Sequence, residues 1–204
     1  DQVEHMVRAG EVFGITPIAR IPDHADPTIL RFLDRGVQGI IVPHVNTREQ
    51  AESVAQAARY YPEGHRGVGG GRAHDYGVGV GRDESTSWIN SQVLVIPMVE
   101  ETQAVDNLEA ILSVPGVDVL HVAAGDLGQS MGNPGSAAVR GLMSQVIPQI
   151  KAGGKHVGAG GNSPADAAGV AEFIKLGANF ITVSSQGLLR LAGEDFRRRV
   201  EAEL

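Results

Sequence analysis

The chain has 204 residues, 42% of them hydrophobic, and 17 basic against 24 acidic residues give a formal net charge of -7. This length and hydrophobic content predict one domain with one core, and the acidic balance argues against a nucleic-acid partner. The absence of cysteine excludes disulfides and thiol chemistry, and no apolar run approaches the roughly 20 residues of a membrane span. We therefore expect a soluble cytoplasmic protein.

Hydrophobic periodicity divides the chain into strands and helices that alternate. The predicted strands cover 16–22, 37–43, 93–99, 117–122, 155–161 and 178–185. The predicted helices cover 1–13, 28–36, 48–61, 85–90, 104–112, 136–152, 163–177 and 187–204. Six strands that each precede a helix predict a parallel α/β sheet, either doubly wound or arranged as a (β/α)8 barrel.

Residues 63–82 form a glycine-rich segment without hydrophobic periodicity. A segment of this length is uncommon as a plain connector, so we interpret it as functional or as an interface arm. Its GVGGG run at 67–71 follows a helix and lacks the GK[ST] ending of a phosphate-binding loop, so no nucleotide site is expected. This segment and the arginine-rich last helix, with Arg197–Arg199, are the expected subunit contacts of a homo-oligomer.

Every predicted strand ends in polar or small residues. These ends are Arg20, Pro43–His44, Glu100, Ala124–Gly125–Asp126, Gly158–Gly161 and Ser184–Ser185. In a barrel such ends converge on one catalytic face, whereas in a doubly wound sheet only those beside the switch point do, so the pattern predicts a TIM barrel. Because six strands do not close a barrel that typically takes ~250 residues, we interpret residues 1–204 as a single barrel domain, N-terminally incomplete by two βα units of roughly forty to fifty residues.

Two acids follow neighbouring strands of the segment Val93–Gly128, which predicts a strand, a helix and a second strand. Glu100 follows the first strand and Asp126 follows the second. Because neighbouring parallel strands lie about 5 Å apart and end at the same edge, the two carboxylates are expected to meet there. Their repulsion would be relieved by a divalent, oxygen-binding metal. The alternative is that each acid caps the helix that follows it.

One cation and one imidazole stand at other strand ends. Arg20 ends the first strand and needs an anionic partner, because a guanidinium stays charged. That partner is either a substrate carboxylate or oxyanion, or a protein carboxylate in a structural salt bridge. His44 follows the second strand, from where it can reach the same pocket.

Five segments of the chain resemble the HpcH/HpaI aldolase family, the class II, metal-dependent pyruvate aldolases. They are VPHVNTREQAE at 42–52, YYPEGHRGVG at 60–69, MVEETQAVDNLEAI at 98–111, VPGVDVL at 114–120 and AGDLGQSMGNPG at 124–135. The resemblance runs from about Thr16 to Leu191. It implies a (β/α)8 barrel, usually hexameric, with Mg²⁺, Mn²⁺ or Co²⁺ at its mouth.

The resemblance also implies roles for individual residues. Glu100 and Asp126 match the metal ligands, and waters and a 2-oxo acid complete the shell. Arg20 matches the catalytic arginine that stabilises the enolate oxygen of pyruvate. The loop Ala123–Ala124–Gly125 matches the stretch whose backbone N–H groups bind the substrate carboxylate, so Ala124 and Gly125, with Arg20 and the adjacent Asp126, are the expected substrate-binding residues.

Other positions are peripheral to this set or depart from the family. Asp34 matches a helix acid that in some relatives reaches a neighbouring subunit's site. Asp34 and His44 are candidates for residues that support the metal and substrate ligands without binding metal or substrate themselves. Met98 stands where the family often has glutamine, and Ala123 where it has glycine. The family's general base, a histidine supported by an acid, aligns upstream of Asp1.

The resemblance predicts an aldolase, a carbon–carbon lyase that cleaves or forms 4-hydroxy-2-oxo acids through a pyruvate enolate. Its partners are then a small 2-oxo acid, an aldehyde and further copies of the chain, with no nucleic acid and no membrane. Two alternatives stay open. One is a related enolate-condensing synthase or oxaloacetate decarboxylase on the same scaffold, and the other is a non-catalytic metabolite-binding barrel.

Overall fold

The computed structural model describes residues 2–79 and 81–204. Their strands are β1 Ile18–Arg20, β2 Gly39–Val42, β3 Leu94–Val99, β4 Val119–Ala123, β5 His156–Asn162 and β6 Phe180–Val183. Their α-helices are α1 Gln2–Val12, α2 Asp26–Leu33, α3 Arg48–Ala58, α4 Arg82–Gln92, α5 Thr102–Asp106, α6 Leu108–Leu112, α7 Ala124–Ser130, α8 Ser136–Ala152, α9 Ala167–Leu176 and α10 Ser185–Glu201. A 3₁₀ helix covers Arg72–Gly77.

The six strands form one parallel sheet whose spatial order, β1 to β6, follows the chain. Each connection crosses back through a helical layer, as parallel pairing requires. The predicted alternation of strands and helices is confirmed, and the sheet is a half-barrel of six strands. Completion to an eight-stranded barrel remains a prediction.

The helices cover one side of this sheet with small and branched side chains. In α3, alanines and Val54 are buried against the strands. The helix starts where the sequence indicates a cap, because the Thr47 hydroxyl accepts from the backbone of Gln50 while the Gln50 side chain accepts from the backbone of Thr47. This reciprocal capping box fixes the turn between β2 and α3.

Two elements of the structure differ from their predictions, because long-range hydrogen bonds override local periodicity. The single helix predicted at 104–112 is two helices, broken at Asn107, whose side-chain amide donates to the carbonyl of Asn46 at 2.8 Å. The segment 63–82, predicted without regular structure, contains the 3₁₀ turn around His74. The His74 ring bonds Tyr60 on one side and Ser85 on the other, each at 2.8 Å.

Helix α10 differs from the others because none of its residues is buried. Its exposed apolar residues include Leu188, Leu189, Phe196 and Val200. The predicted subunit contact through the last helix concerns this face and remains a prediction. No helix within residues 2–79 and 81–204 is both long and apolar enough to cross a bilayer.

His121 lies in the interior of the half-barrel, on β4. Gly158 and Gly160 of β5 make room for its ring, because a Cβ at either position would come within 2.3 Å of an imidazole nitrogen. Its Nδ1 is buried without a hydrogen-bond partner among the residues described, and its Nε2 lies 3.4 Å from the Thr182 hydroxyl. Burial lowers the pKa of His121 to about 4 from its ordinary 6.5, so the ring is neutral near pH 7.

We predict that this burial makes folding stability depend on pH between 6.5 and 4. The unfolded chain binds the His121 proton in this window while the folded chain does not, so stability is full above pH 6.5 and falls on acidification, by about 3 kcal/mol at most. Urea unfolding of the wild type and of His121→Leu at a series of pH values measures the difference. Equal slopes for both proteins in this window would contradict the prediction.

Candidate active site

Glu100 directly follows β3 and is completely buried, with 0% of its surface exposed. Its Oε1 accepts the backbone N–H of His44 at 2.8 Å. Its Oε2 is buried and has no hydrogen-bond partner among the residues that the structure describes. The following helix α5 has Glu101 as its N-cap residue, so the capping alternative is wrong for Glu100. A buried carboxylate oxygen without a donor is a natural position for a cation.

The electrostatics of Glu100 show which side chains share its edge of the sheet. Burial raises the pKa of the Glu100 carboxyl, and the His44 backbone N–H and ring act against this shift. The Asp126 carboxylate adds to the rise and the Arg20 guanidinium opposes it. His44 thus bonds Glu100 directly, and the charges of Asp126 and Arg20 act on the same carboxyl.

Asp126 lies in a helix and not in the predicted strand end. Helix α7 begins at Ala124, directly after β4, so Ala124, Gly125 and Asp126 form its first turn. Asp126 is exposed, and the helix dipole favours a negative charge at this position. The backbone N–H groups of a first helical turn have no partner within the helix. This arrangement is compatible with the predicted binding of a substrate carboxylate by Ala124 and Gly125.

Arg20 is the last residue of β1 and is exposed. Within residues 2–79 and 81–204, no carboxylate forms an ion pair with its guanidinium, so the structural salt-bridge alternative finds no support there. Among the described residues no partner engages this guanidinium, so its donors are available to an anionic ligand on the edge that carries Glu100 and Asp126.

Asp34 is not part of this cluster. It is the C-cap residue of α2, at the end of the eight-residue helix that leads away from β1. Its Oδ1 accepts from Arg66 Nη2 at 2.9 Å, and the Arg66 side chain is only 1% exposed and stacks over the Tyr60 ring. Within its own chain, Asp34 therefore neutralises a buried arginine. The predicted contribution of Asp34 to a neighbouring site remains a prediction.

Two residues beside the site were missed by the sequence reasoning. Glu101 Oε1 accepts from His44 Nδ1 at 2.7 Å, and Glu101 Oε2 accepts from Asn46 Nδ2 at 2.9 Å. The available signal was the pair of adjacent glutamates after β3, facing a histidine and an asparagine that follow β2. The side chains of two adjacent residues point in different directions, so Glu101 cannot face the same point as Glu100.

The residues present fit a hard divalent cation held partly by substrate. No group of three or more His, Cys, Asp or Glu side chains surrounds a single point in the described part of the chain. Glu100 and Asp126 are the two carboxylates proposed to hold it: among the described residues Oε2 of Glu100 has no hydrogen-bond partner, whereas both oxygens of the neighbouring Glu101 are bonded. Mg²⁺ and Mn²⁺ accept one or two carboxylates when waters and substrate oxygens supply the remaining ligands.

A parallel β/α wall with two acids and an arginine at the carboxyl ends of its strands has the layout of a barrel enzyme. Residues 2–191 match the HpcH/HpaI aldolase/citrate lyase family, and the chain belongs to this family, as its motifs predicted.

Named relatives give the activity class. A 4-hydroxy-2-oxovalerate aldolase of Novosphingobium aromaticivorans is 37% identical over 186 residues, which are 89% of this chain and 69% of the relative. A 2-keto-3-deoxy-L-rhamnonate aldolase of Escherichia coli K12 is 33% identical over 189 residues, 91% of this chain and 69% of the relative. An HpcH/HpaI aldolase/citrate lyase family protein from Burkholderia cenocepacia J2315 has a crystal structure with TM-score 0.86 and 30% identity, covering 98% and 79% of the two chains. The predicted class, a carbon–carbon lyase of aldolase type, is confirmed.

We predict that Asp34→Asn lowers the free energy of unfolding by about 2–4 kcal/mol, because it leaves the buried Arg66 guanidinium without its charge partner. The double variant Asp34→Asn/Arg66→Met is expected to recover part of this loss. Glu194→Gln, which breaks an exposed ion pair with Arg190, is the control and should change stability by less than about 0.5 kcal/mol. Guanidinium unfolding gives the free energy of unfolding of the wild type and of the three variants. A loss in Asp34→Asn no larger than that in Glu194→Gln would contradict the structural role of Asp34.

Proposed function

We propose that the chain carries the active site of a metal-dependent aldolase that cleaves or forms 4-hydroxy-2-oxo acids through a pyruvate enolate. The single observation that carries this proposal is the buried Glu100 carboxylate on one edge with Asp126 and Arg20, its Oε2 having no hydrogen-bond partner among the described residues. The aldolase names of the relatives support the substrate class. The ligand set proposed for Mg²⁺, Mn²⁺ or Co²⁺ is Glu100 and Asp126.

The chemistry follows from charge placement. In cleavage, a general base takes the proton of the 4-hydroxyl, the C3–C4 bond breaks and its electron pair moves towards the 2-oxo oxygen, so that an aldehyde leaves, an enolate remains and the protonated base can return the proton to C3. A divalent cation at Glu100 and Asp126 would act as a Lewis acid towards that oxygen. Arg20 donates to the oxygen that becomes negative, which lowers the barrier more than it tightens ground-state binding. Protonation of the enolate carbon then gives pyruvate.

The first turn of α7 serves binding in this proposal. Ala124 and Gly125 present backbone N–H groups to the carboxylate of the 2-oxo acid. Gly161, which has a φ of 75°, lets β5 approach this turn closely, because a Cβ there would lie 3.2 Å from the Cβ of Ala124. The proposal also includes closure into a (β/α)8 barrel, a homo-oligomeric state and a cytoplasmic location.

We predict that the protein, tested with any N-terminal segment that precedes residue 1, releases pyruvate from a 4-hydroxy-2-oxo acid only with a divalent metal. EDTA should abolish the release and Mn²⁺ should restore it, because the cation supplies the charge opposite the 2-oxo oxygen. Glu100→Gln and Asp126→Asn should each lose both Mn²⁺ binding and pyruvate release, while the exposed Glu109→Gln should retain both. Lactate dehydrogenase coupling measures pyruvate, and release that survives complete metal removal would contradict the proposal.

The same assay separates the alternatives. Decarboxylation of oxaloacetate without cleavage of any 4-hydroxy-2-oxo acid would favour the synthase or decarboxylase. Metal binding without turnover of any 2-oxo acid would favour a non-catalytic barrel.

We predict that Arg20→Lys lowers kcat by about 100-fold with a smaller change in KM. Lysine keeps the charge but loses the planar fork of donors, so stabilisation is lost mainly where the enolate oxygen becomes negative. Arg31→Lys, an exposed change on α2, is the matched control and should leave both constants unchanged. A rise in KM with unchanged kcat would contradict the role in enolate stabilisation.

A further inference from the structure

The His44 main chain adopts an uncommon conformation and contacts a proposed metal ligand. His44 has a φ of 55°, in the left-handed region that few residues other than glycine adopt, although Asn, Asp and His are found there more often than other residue types. Its backbone N–H donates to Glu100 Oε1 at 2.8 Å, the only hydrogen bond to this carboxylate among the described residues. The conformation of His44 therefore determines which oxygen of Glu100 is occupied and which is left free.

The His44 side chain explains how this conformation is held. Its Nδ1 lies 2.7 Å from Glu101 Oε1, and since a carboxylate only accepts, Nδ1 carries the proton. Glu101 is itself fixed, because its Oε2 accepts from Asn46 at 2.9 Å. Asn46 is buried, and its carbonyl accepts from Asn107 at 2.8 Å. The chain of bonds ties the turn after β2 to the turn after β3.

Packing does not account for this arrangement. The His44 side chain is 58% exposed, so it buries little surface that would repay a left-handed main chain. Strained residues persist where their surroundings hold them, and such residues are often found at functional sites. Two carboxylates hold this ring: its Nδ1 bonds Glu101 Oε1 at 2.7 Å and lies 3.5 Å from Glu100 Oε1.

We infer that His44 and Glu101 are positioning residues for the cation site: their hydrogen bond holds the His44 main chain so that its N–H occupies Glu100 Oε1 and leaves Oε2 for the metal. Partners that orient a ligating carboxylate in this way contribute to metal affinity without touching the metal. The inference rests on the cation site of the proposed function and is independent of the aldol reaction itself.

The test measures Mn²⁺ affinity by electron paramagnetic resonance on the full-length protein without substrate. His44→Leu keeps a large side chain but loses the donor, and Glu101→Ala loses the acceptor; each should raise the Kd for Mn²⁺ about tenfold. The double variant should be no weaker than either single variant, because both act through one bond. His44→Asn should stay within about threefold of the wild type, because asparagine tolerates a left-handed φ and places a donor on the same Cγ.

Controls separate positioning from loss of structure. His156→Leu removes a similar exposed histidine whose Nδ1 bonds Asn179 at the opposite edge of the sheet, and its affinity should equal that of the wild type. The Tm of the metal-free His44→Leu variant should be close to that of the wild type. His44→Leu therefore tests the inference even if Glu101→Ala folds poorly.

Three results would overturn the inference: unchanged Mn²⁺ affinity in His44→Leu, equal weakening by His44→Asn and His44→Leu, or no Mn²⁺ binding by the wild type. If the wild type binds Mn²⁺ in a Glu100-dependent manner and the variants weaken it as expected, but no 4-hydroxy-2-oxo acid is cleaved, the aldolase proposal fails and the positioning role stands.

Discussion

The parallel alignment of the strands is the constraint on which the rest of the structure depends. Arg20 ends β1, His44 and Glu100 follow β2 and β3, and Asp126 lies in the first turn of the helix after β4; these four strands are neighbours in the sheet. Parallel strands send all their carboxyl ends to one edge, so residues distant in the chain become neighbours. The buried helix faces hold this alignment from outside, and the site residues themselves add little apolar contact. The packed core therefore positions the strand ends, and the residues at those ends are not needed for packing.

The interior face of the sheet accommodates polar groups in layers. Met98 pairs with His121 across β3 and β4, which places His121 one layer below Glu100. Both ionisable groups are buried, and burial favours the neutral form of each: it raises the pKa of Glu100 and lowers that of His121. Such groups lower stability unless something compensates for their lost hydration. For His121 the compensation is partial, through Thr182 and the Phe180 ring edge. For Glu100 it is one N–H on one oxygen.

The sequence was sufficient for what depends on periodicity and strand order. It predicted the six parallel strands from the alternation of strands and helices, and it predicted that Glu100, Asp126 and Arg20 share the edge at which parallel strands end. It failed where a non-local hydrogen bond decides: the break at Asn107, the 3₁₀ turn around His74, and the tie between His44 and Glu101. It also placed Ala124 in a strand end, since small residues carry no periodic signal that separates a strand end from the first turn of a helix.

The adjacent acids Glu100 and Glu101 show how one strand end separates two roles. Glu100 is fully buried; one oxygen accepts from a main-chain N–H, and the other has no hydrogen-bond partner in the described part of the chain. Glu101 is 32% exposed and has both oxygens engaged, by His44 and by Asn46. A carboxylate whose oxygens are already paired with protein donors gains little from a cation, whereas an unpaired buried oxygen gains most. Composition alone makes the two glutamates equivalent, whereas their burial and their hydrogen-bond partners differ, and this difference supports the proposal of Glu100 as a ligand and Glu101 as its support.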